Sequence, residues 1–165
     1  MYTLKSVSLF LLAGLVCLGC ETKPAASSNS EAEAEVHIPF RKDGTLDLLR
    51  GGENYLSLDI EIADNDSSIT RGLMQRNSLP DLSGMLFLMP EERIQSFWMS
   101  NTTISLDIIF INNAMEIVHI AKYTTPLSPD SVPSEYPAAF VLEVIAGFSD
   151  THGVLEGDTI AWRRE

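Results

Sequence analysis

Residues 71–111 read RGLMQRNSLPDLSGMLFLMPEERIQSFWMSNTTISLDIIFI. This stretch contains the most apolar strand candidates of the chain, and tight glycine turns stand close to methionine at Gly72 and Gly84. One acid, Asp107, interrupts an otherwise apolar run near its end. Because a carboxylate in an apolar environment is costly unless it is paired and hydrogen-bonded, the stretch predicts an apolar sheet that must satisfy one buried acid.

The clearest alternation in the chain precedes this stretch, with leucine or isoleucine at positions 56, 58, 60 and 62 and polar residues between them. It predicts a strand whose polar face, which includes Glu61, lies in water. Further strands are predicted over residues 36–40, 45–49, 85–89, 97–99, 106–111, 116–122, 138–145 and 159–162, with a hairpin turn at Asp43-Gly44 and a polar loop over 126–137. Short helices are predicted over 67–73 and 148–152. Together these elements predict an α+β, mainly β domain, built as a single barrel-like antiparallel or mixed sheet with one or two short helices.

The N-terminus has the features of an export signal. Lys5 precedes an apolar run over residues 7–16, which is shorter than the roughly 20 residues that span a bilayer. The run ends at Leu18-Gly19-Cys20, which resembles the cleavage site of a bacterial lipoprotein signal. That resemblance implies a signal peptide over residues 1–19 and a lipid, with palmitate among its acyl chains, on Cys20. A plain secretory signal and an uncleaved anchor are the alternatives.

Residues 20–35 are rich in alanine, serine and glutamate and have little to bury, so they predict a flexible tether. Residues 36–165 are long enough for one globular domain. We therefore expect an exported protein that is anchored to a bacterial membrane by its lipid and faces the periplasm or the cell exterior.

Charge and cysteine content exclude several classes of function. Loss of Lys5 with the signal takes the formal charge from −12 to −13, which disfavours nucleic acid as a partner. Cys17 leaves with the signal and Cys20 carries the lipid, so the domain has no thiol for a disulfide, a nucleophile or a zinc site. The methionines fit core filling and the three histidines are scattered, so we expect no metal and no cofactor.

Several spaced motifs resemble those of one protein family. In order they are RGLMQR at 71–76, GMLF at 84–87, FWMSNT at 97–102, LDIIFI at 106–111 and VLE at 141–143. They are similar to the bacterial and archaeal family called domain of unknown function 192, and the likeness covers residues 56–162. The family usually has lysine where Ser100 stands and proline where Ser105 stands. The resemblance implies a fold and no particular reaction.

Two groups of residues are candidates for a site. Arg71 or Arg76 is the expected partner of Asp107, because a guanidinium holds a carboxylate by two parallel hydrogen bonds; the pair would either line a ligand pocket or lock the helix to the sheet. Trp98, Asn101 and Thr102 combine an aromatic ring with short polar groups, which suits a small polar ligand. The alternative is a tryptophan that fills the core beside a turn that satisfies its own backbone.

These observations predict a non-catalytic binding or accessory module of the cell envelope, with a small polar ligand or an envelope protein as partner. The chief alternative is an envelope hydrolase that acts on glycan or a similar polar substrate, with Asp107 and Glu143 as the acid and base. The sequence contains no GxSxG, HExxH or SxxK motif. It leaves open the ligand, the membrane that carries the anchor and the oligomeric state.

Overall fold

The structure, a computed structural model, describes residues 38–165. The expected signal peptide, the expected lipid site at Cys20, the predicted tether and the first two residues of the strand predicted over 36–40 lie outside the described residues.

The domain is built on one seven-stranded sheet with two short helices. In chain order the elements are β1 (Gly44–Arg50), β2 (Glu53–Ala63), α1 (Asp66–Arg71), β3 (Ser83–Phe97), β4 (Leu106–Ile111), β5 (Ile117–Ala121), β6 (Val132–Ile145), α2 (Phe148–His152) and β7 (Thr159–Arg164). The strand order is β5-β4-β6-β3-β2-β1-β7, and β2 and β3 are the one parallel pair. The prediction of a mainly β, mixed-sheet domain with short helices is confirmed.

The sheet is not closed into a barrel, so the barrel-like shape that the sequence predicted is wrong. Its edge strands β5 and β7 approach each other through one isolated bridge, Glu116 to Thr159. The amide of Ile117 also donates to the carbonyl of Asp158 at 2.8 Å. Because the contact at this edge is confined to a few residues, the two strands do not form a continuous ladder.

Each face of the sheet carries its own apolar cluster. On one face, side chains from β1, β2, β4, β6 and β7 pack with Phe148 of α2. On the other face, Met85, Phe87, Ile108 and other side chains of β3, β4 and β6 pack with α1 and the segment that follows it. Strand alternation sends neighbouring residues to opposite faces, so adjacent positions of β4 and β6 face different clusters.

The first hairpin turns at a different place from the one predicted. Residues 38–43 form no strand, and β1 begins at Gly44 instead of following an Asp43-Gly44 turn. The turn lies at Gly51 and Gly52, whose φ angles of 60° and 85° are both positive. Two successive positive φ angles suit a tight hairpin, and glycine adopts them without steric cost.

Two strands are longer than predicted. β3 runs unbroken through residues 90–96, which separate the two strands predicted over 85–89 and 97–99. β6 begins at Val132, inside the predicted 126–137 loop. The two extensions pair with each other across register shifts. Gln95 is buried there and donates its amide to the carbonyls of Glu91 and Ala138. A polar side chain therefore supplies hydrogen bonds where the ladder is irregular, which an apolar pattern cannot reveal.

Candidate ligand pocket

A pocket of about 230 Å³ lies between the C-terminal end of α1, β3 and β6. We call it the Glu143 pocket. Most of its lining is apolar or aromatic, and its polar side chains are few. The lining residues are Ile69, Thr70, Arg71, Gly72, Leu73, Met74, Phe87, Met89, Ser96, Phe97, Trp98, Thr102 and Glu143. A concave, mainly apolar site with a small number of polar groups is the usual form of a small-molecule site.

Glu143 is the buried acid of this pocket. It lies on β6 in one row with Met85 of β3 and Ile108 of β4, and its exposed fraction is 5%. Its carboxyl group has no hydrogen-bond or ion-pair partner within residues 38–165. Burial raises the pKa of Glu143 to about 8, because the charged form loses its hydration. The carboxyl group is therefore mainly protonated at neutral pH.

Gly72 allows the backbone to pass close to this acid. Asn65 caps the start of α1 through the amide of Ser68, and the helix ends at Gly72, which has a φ angle of 48°. A Cβ atom at this position would lie 3.2 Å from Cζ of Phe87 and 3.6 Å from Oε2 of Glu143. The glycine thus satisfies an unusual backbone conformation and leaves the space beside the acid free.

The mouth of the pocket has aromatic and cationic groups. Trp98 is 56% exposed, and Phe87 packs edge-to-face on Phe97 with ring centroids 5.2 Å apart. Arg71 is exposed and makes no ion pair within the described residues. Thr102 is buried in the lining. Of the residues that the sequence singled out, the pocket therefore brings together Arg71, Trp98, Thr102 and Glu143.

Asn101 lies outside this pocket. It has a φ angle of 61°, and its carbonyl accepts a hydrogen bond from the amide of Gln75 at 2.9 Å. Its side chain lines a neighbouring depression beside Arg71 and Met74. This backbone contact joins two loops, whereas the alternative interpretation described a turn that satisfies its own backbone.

Comparison with known proteins identifies the family. The chain matches the family DUF192, described as "Uncharacterized ACR", over residues 48–162. It belongs to the DUF192 family. No curated protein matches it. Residues from four of the motifs that carry the resemblance, RGLM, GMLF, FWM and VLE, line the Glu143 pocket.

Two solved structures are similar to this DUF192 domain. One is a "putative transcription regulator" from Sinorhizobium meliloti 1021, with 32% identity over 76% of this chain and 96% of that chain and a TM-score of 0.70. The other is a protein of unknown function from Novosphingobium aromaticivorans DSM 12444, with 30% identity over 72% of this chain and 84% of that chain and a TM-score of 0.67.

Asp107 of the DUF192 domain is not paired with arginine, so the predicted ion pair is wrong. Its carboxylate is fully buried and accepts three backbone hydrogen bonds, from the amides of Tyr123 at 3.0 Å, Gly147 at 3.2 Å and Ser149 at 2.9 Å. Amide donors can satisfy a buried carboxylate as a cation can. Asp107 thereby joins β4 to the start of α2 and to the segment after β5, and its role is structural.

Arg76 pairs instead with Glu61, a residue that the sequence placed wrongly in water. Nη2 of Arg76 donates to Oε2 of Glu61 at 2.7 Å, Nη1 donates to the carbonyl of Pro39 at 3.3 Å, and both side chains are buried. Glu61 lies on β2 next to Met85, in the same row as Glu143. The alternation in β2 predicted a wet face, but α1 and the following segment cover that face at its C-terminal end.

Clusters of metal-ligating side chains and membrane-spanning helices are both absent from residues 38–165. No three histidine, cysteine, aspartate or glutamate side chains converge there as a metal site would require. Within the same residues, no helix has the length and apolar character needed to cross a membrane.

Proposed function

We propose that this DUF192 protein is a lipid-anchored, extracytoplasmic accessory module of the cell envelope that binds a small, largely apolar molecule in the Glu143 pocket. The anchor and the compartment rest on the Leu18-Gly19-Cys20 pattern and on the tether that follows it. The binding function rests on the geometry of the pocket.

The observation that carries the binding proposal is the unpartnered carboxyl group of Glu143. Buried polar groups in folded proteins almost always have a hydrogen-bond partner, and an unsatisfied one costs about 1–3 kcal/mol. Glu143 is buried in an apolar lining and has no partner within the described residues. A ligand with one polar group at its inner end would satisfy it. The pocket is smaller than the roughly 300–1,000 Å³ of drug-sized sites, which favours a small ligand.

Binding fits the lining better than hydrolysis does. Glu143 is the one carboxyl group among the lining residues, and no histidine or cysteine accompanies it. The hydrolase alternative needs Asp107 as the second acid, but Asp107 faces the other side of the sheet and is engaged by three backbone amides. A general acid without a second carboxyl group, a histidine or a cysteine beside it lacks the usual base that activates water.

The description of one relative as a regulator of transcription does not favour a nucleic-acid function for this chain. Affinity for DNA depends on cationic groups that neutralise phosphates. This chain has a formal charge of −12, and the Glu143 pocket contains one cationic side chain, Arg71.

Methyl NMR with a panel of small aromatic and aliphatic fragments tests the binding proposal. Met74 and Met89 line the pocket, whereas Met115 packs against the cluster on the other face of the sheet and serves as an internal control. We expect hits to shift the Met74 and Met89 methyl signals and to spare Met115.

Two exposed aromatic residues provide matched variants. Trp98→Ala should weaken the hits, and Tyr136→Ala, which removes an equally exposed ring outside the pocket, should not. Hits that map elsewhere on the domain, or a panel without any hit, would contradict the proposal.

A further inference from the structure

We infer that the ligand of the Glu143 pocket is a small organic ammonium ion, whose positive charge is balanced by the carboxylate of Glu143 and whose carbon skeleton lies among the aromatic side chains of the lining. The inference rests on the proposed binding function and names the chemical class of the ligand.

Within residues 38–165, no cation compensates the charge of ionised Glu143. Burial is the sole cause of its raised pKa, and no nearby positive charge opposes that effect. Glu61 lies on the other side of Met85 in the same row of the sheet, and it is already paired with Arg76. Of all the described residues, none therefore supplies the charge that would stabilise ionised Glu143. An ammonium group would do so through charge-assisted hydrogen bonds, which are about twice as strong as neutral ones.

Aromatic side chains lie beside the acid in the pocket. The ring of Phe87 and Oε2 of Glu143 approach the same point beside Gly72. Phe97 packs edge-to-face on Phe87, and Trp98 stands at the mouth. Aromatic faces attract cations within about 6 Å of the ring centre, and more strongly where water is excluded. A carboxylate beside aromatic rings is an arrangement that recognises organic ammonium groups.

The charges around the pocket agree with this class of ligand. The residues beside Glu143 on the two adjacent strands are Met85 of β3 and Ile108 of β4, and neither side chain can ionise. The one other charged group in the lining is Arg71, which is exposed and is not among the causes of the raised pKa of Glu143. It would repel a cation weakly at the rim, because water screens exposed charges. The formal charge of −12 attracts cations from solution.

Binding of an ammonium ion should be linked to a proton. The free carboxyl group is mainly protonated at pH 7, so binding releases its proton to solvent and leaves a carboxylate paired with the ligand. The affinity should therefore fall by about tenfold for each pH unit below the pKa of Glu143. A neutral ligand that accepts a hydrogen bond from the protonated acid would show no such loss on acidification.

Three probes of nearly equal shape test the inference on the full-length protein in detergent: benzylamine, benzyl alcohol and benzoate. Affinities are measured from the Met74 and Met89 methyl signals at pH 6 and pH 7. We expect benzylamine to bind at least tenfold more tightly than the other two at pH 7 and about tenfold more weakly at pH 6 than at pH 7. Glu143→Gln should abolish the preference for the amine, and Arg71→Gln, which removes a positive charge from the rim, should tighten amine binding.

The outcomes distinguish this inference from the proposed function. If benzyl alcohol or benzoate binds as tightly as benzylamine, the pocket is a binding site and the ammonium class is wrong. Benzoate binding that is lost in Arg71→Gln would assign the site to anions instead. If no probe moves the two methyl signals, the inference is overturned, and the fragment screen decides the proposed function separately.

Discussion

The carboxyl groups of Asp107 and Glu143 lie on opposite faces of the sheet, although the two residues lie on the neighbouring strands β4 and β6. Asp107 is paired with Val144, and Glu143 is paired with Ile108, so strand alternation sends the two acids apart. The backbone at the start of α2 satisfies Asp107, whereas the apolar pocket beside α1 leaves Glu143 without a partner. One acid is therefore part of the framework, and the other is available to a ligand.

Glu143 should make the stability of the domain depend on pH. Its pKa is about 8 in the folded state, against an ordinary value of 4.5, so the folded protein holds more protons than the unfolded chain between these values. The free energy of unfolding should then fall as the pH rises from about 4.5 to 8, at up to roughly 1.4 kcal/mol per pH unit. Glu143→Gln, which cannot ionise, should lack this slope in chemical denaturation.

The difference between wild type and Glu143→Gln isolates this effect, because other titrating groups contribute equally to both. The variant should gain several kcal/mol relative to wild type between pH 5 and pH 8.5. Glu53→Gln, a matched change at an exposed position on β2, should follow wild type. Parallel stability curves for wild type and Glu143→Gln would contradict a buried, neutral acid.

Asp107→Asn should destabilise the fold. The substitution keeps one acceptor oxygen, but it places an amide NH₂ group against backbone donors that now bond the carboxylate. Loss of a charge-assisted bond and conflict between two buried donors should cost about 2–4 kcal/mol. Thermal and urea unfolding measure this cost. Asp150→Asn, which alters an exposed acid of α2, should cost much less, because water screens exposed ion pairs. Equal losses in the two variants would refute the framework role of Asp107.

The buried pair of Arg76 and Glu61 should be costly to break and much less costly to replace as a unit. Arg76→Met leaves Glu61 buried without its partner at 2.7 Å, so we expect a loss of about 3–5 kcal/mol. Removing both charges in the double variant Arg76→Met, Glu61→Leu should recover most of that loss. A double-mutant cycle by urea denaturation gives the coupling energy, and strictly additive losses would show that the two side chains do not depend on each other.

Lipid anchoring makes a prediction about localisation. Cys20→Ser should move the protein from the membrane fraction to the soluble fraction, because the proposed anchor is attached to this sulfur. Cys17→Ser is the matched control and should leave the protein in the membrane fraction. Retention of Cys20→Ser in membranes after washing without detergent would contradict lipidation.

The sequence predicted the strands well where the pattern was local. The alternation before Ala63 marked β2, the apolar run at 106–111 marked β4, and residues 148–152 form α2 at the predicted bounds. The strand prediction failed where pairing with a distant strand holds a charged segment in the sheet. The charged middle of β3 looked like a loop, but β6 and the buried amide of Gln95 hold it in the sheet.

The structure brings four of the seven candidate residues together. Arg71, Trp98, Thr102 and Glu143 share one pocket, and the aromatic and polar composition of their motifs was the signal. The partners of the buried acids could not be predicted, because backbone amides satisfy a carboxylate as well as arginine does. The direction of a backbone amide in the fold cannot be read from the sequence pattern. The burial of Glu61 was missed for a related reason. The alternation of apolar and polar residues in β2 indicates which face of the strand Glu61 lies on, but it does not indicate which segment covers that face.

Titration of Glu143 shows whether the pocket keeps this acid neutral. Carbon-detected NMR of its side-chain carboxyl group, followed from pH 4 to pH 10 in the protein without ligand, reports the pKa of this residue alone. We predict a midpoint near pH 8. A midpoint near the ordinary glutamate value of 4.5 would mean that the acid is hydrated or paired, and it would contradict the account of a pocket that keeps an unpartnered carboxyl group for its ligand.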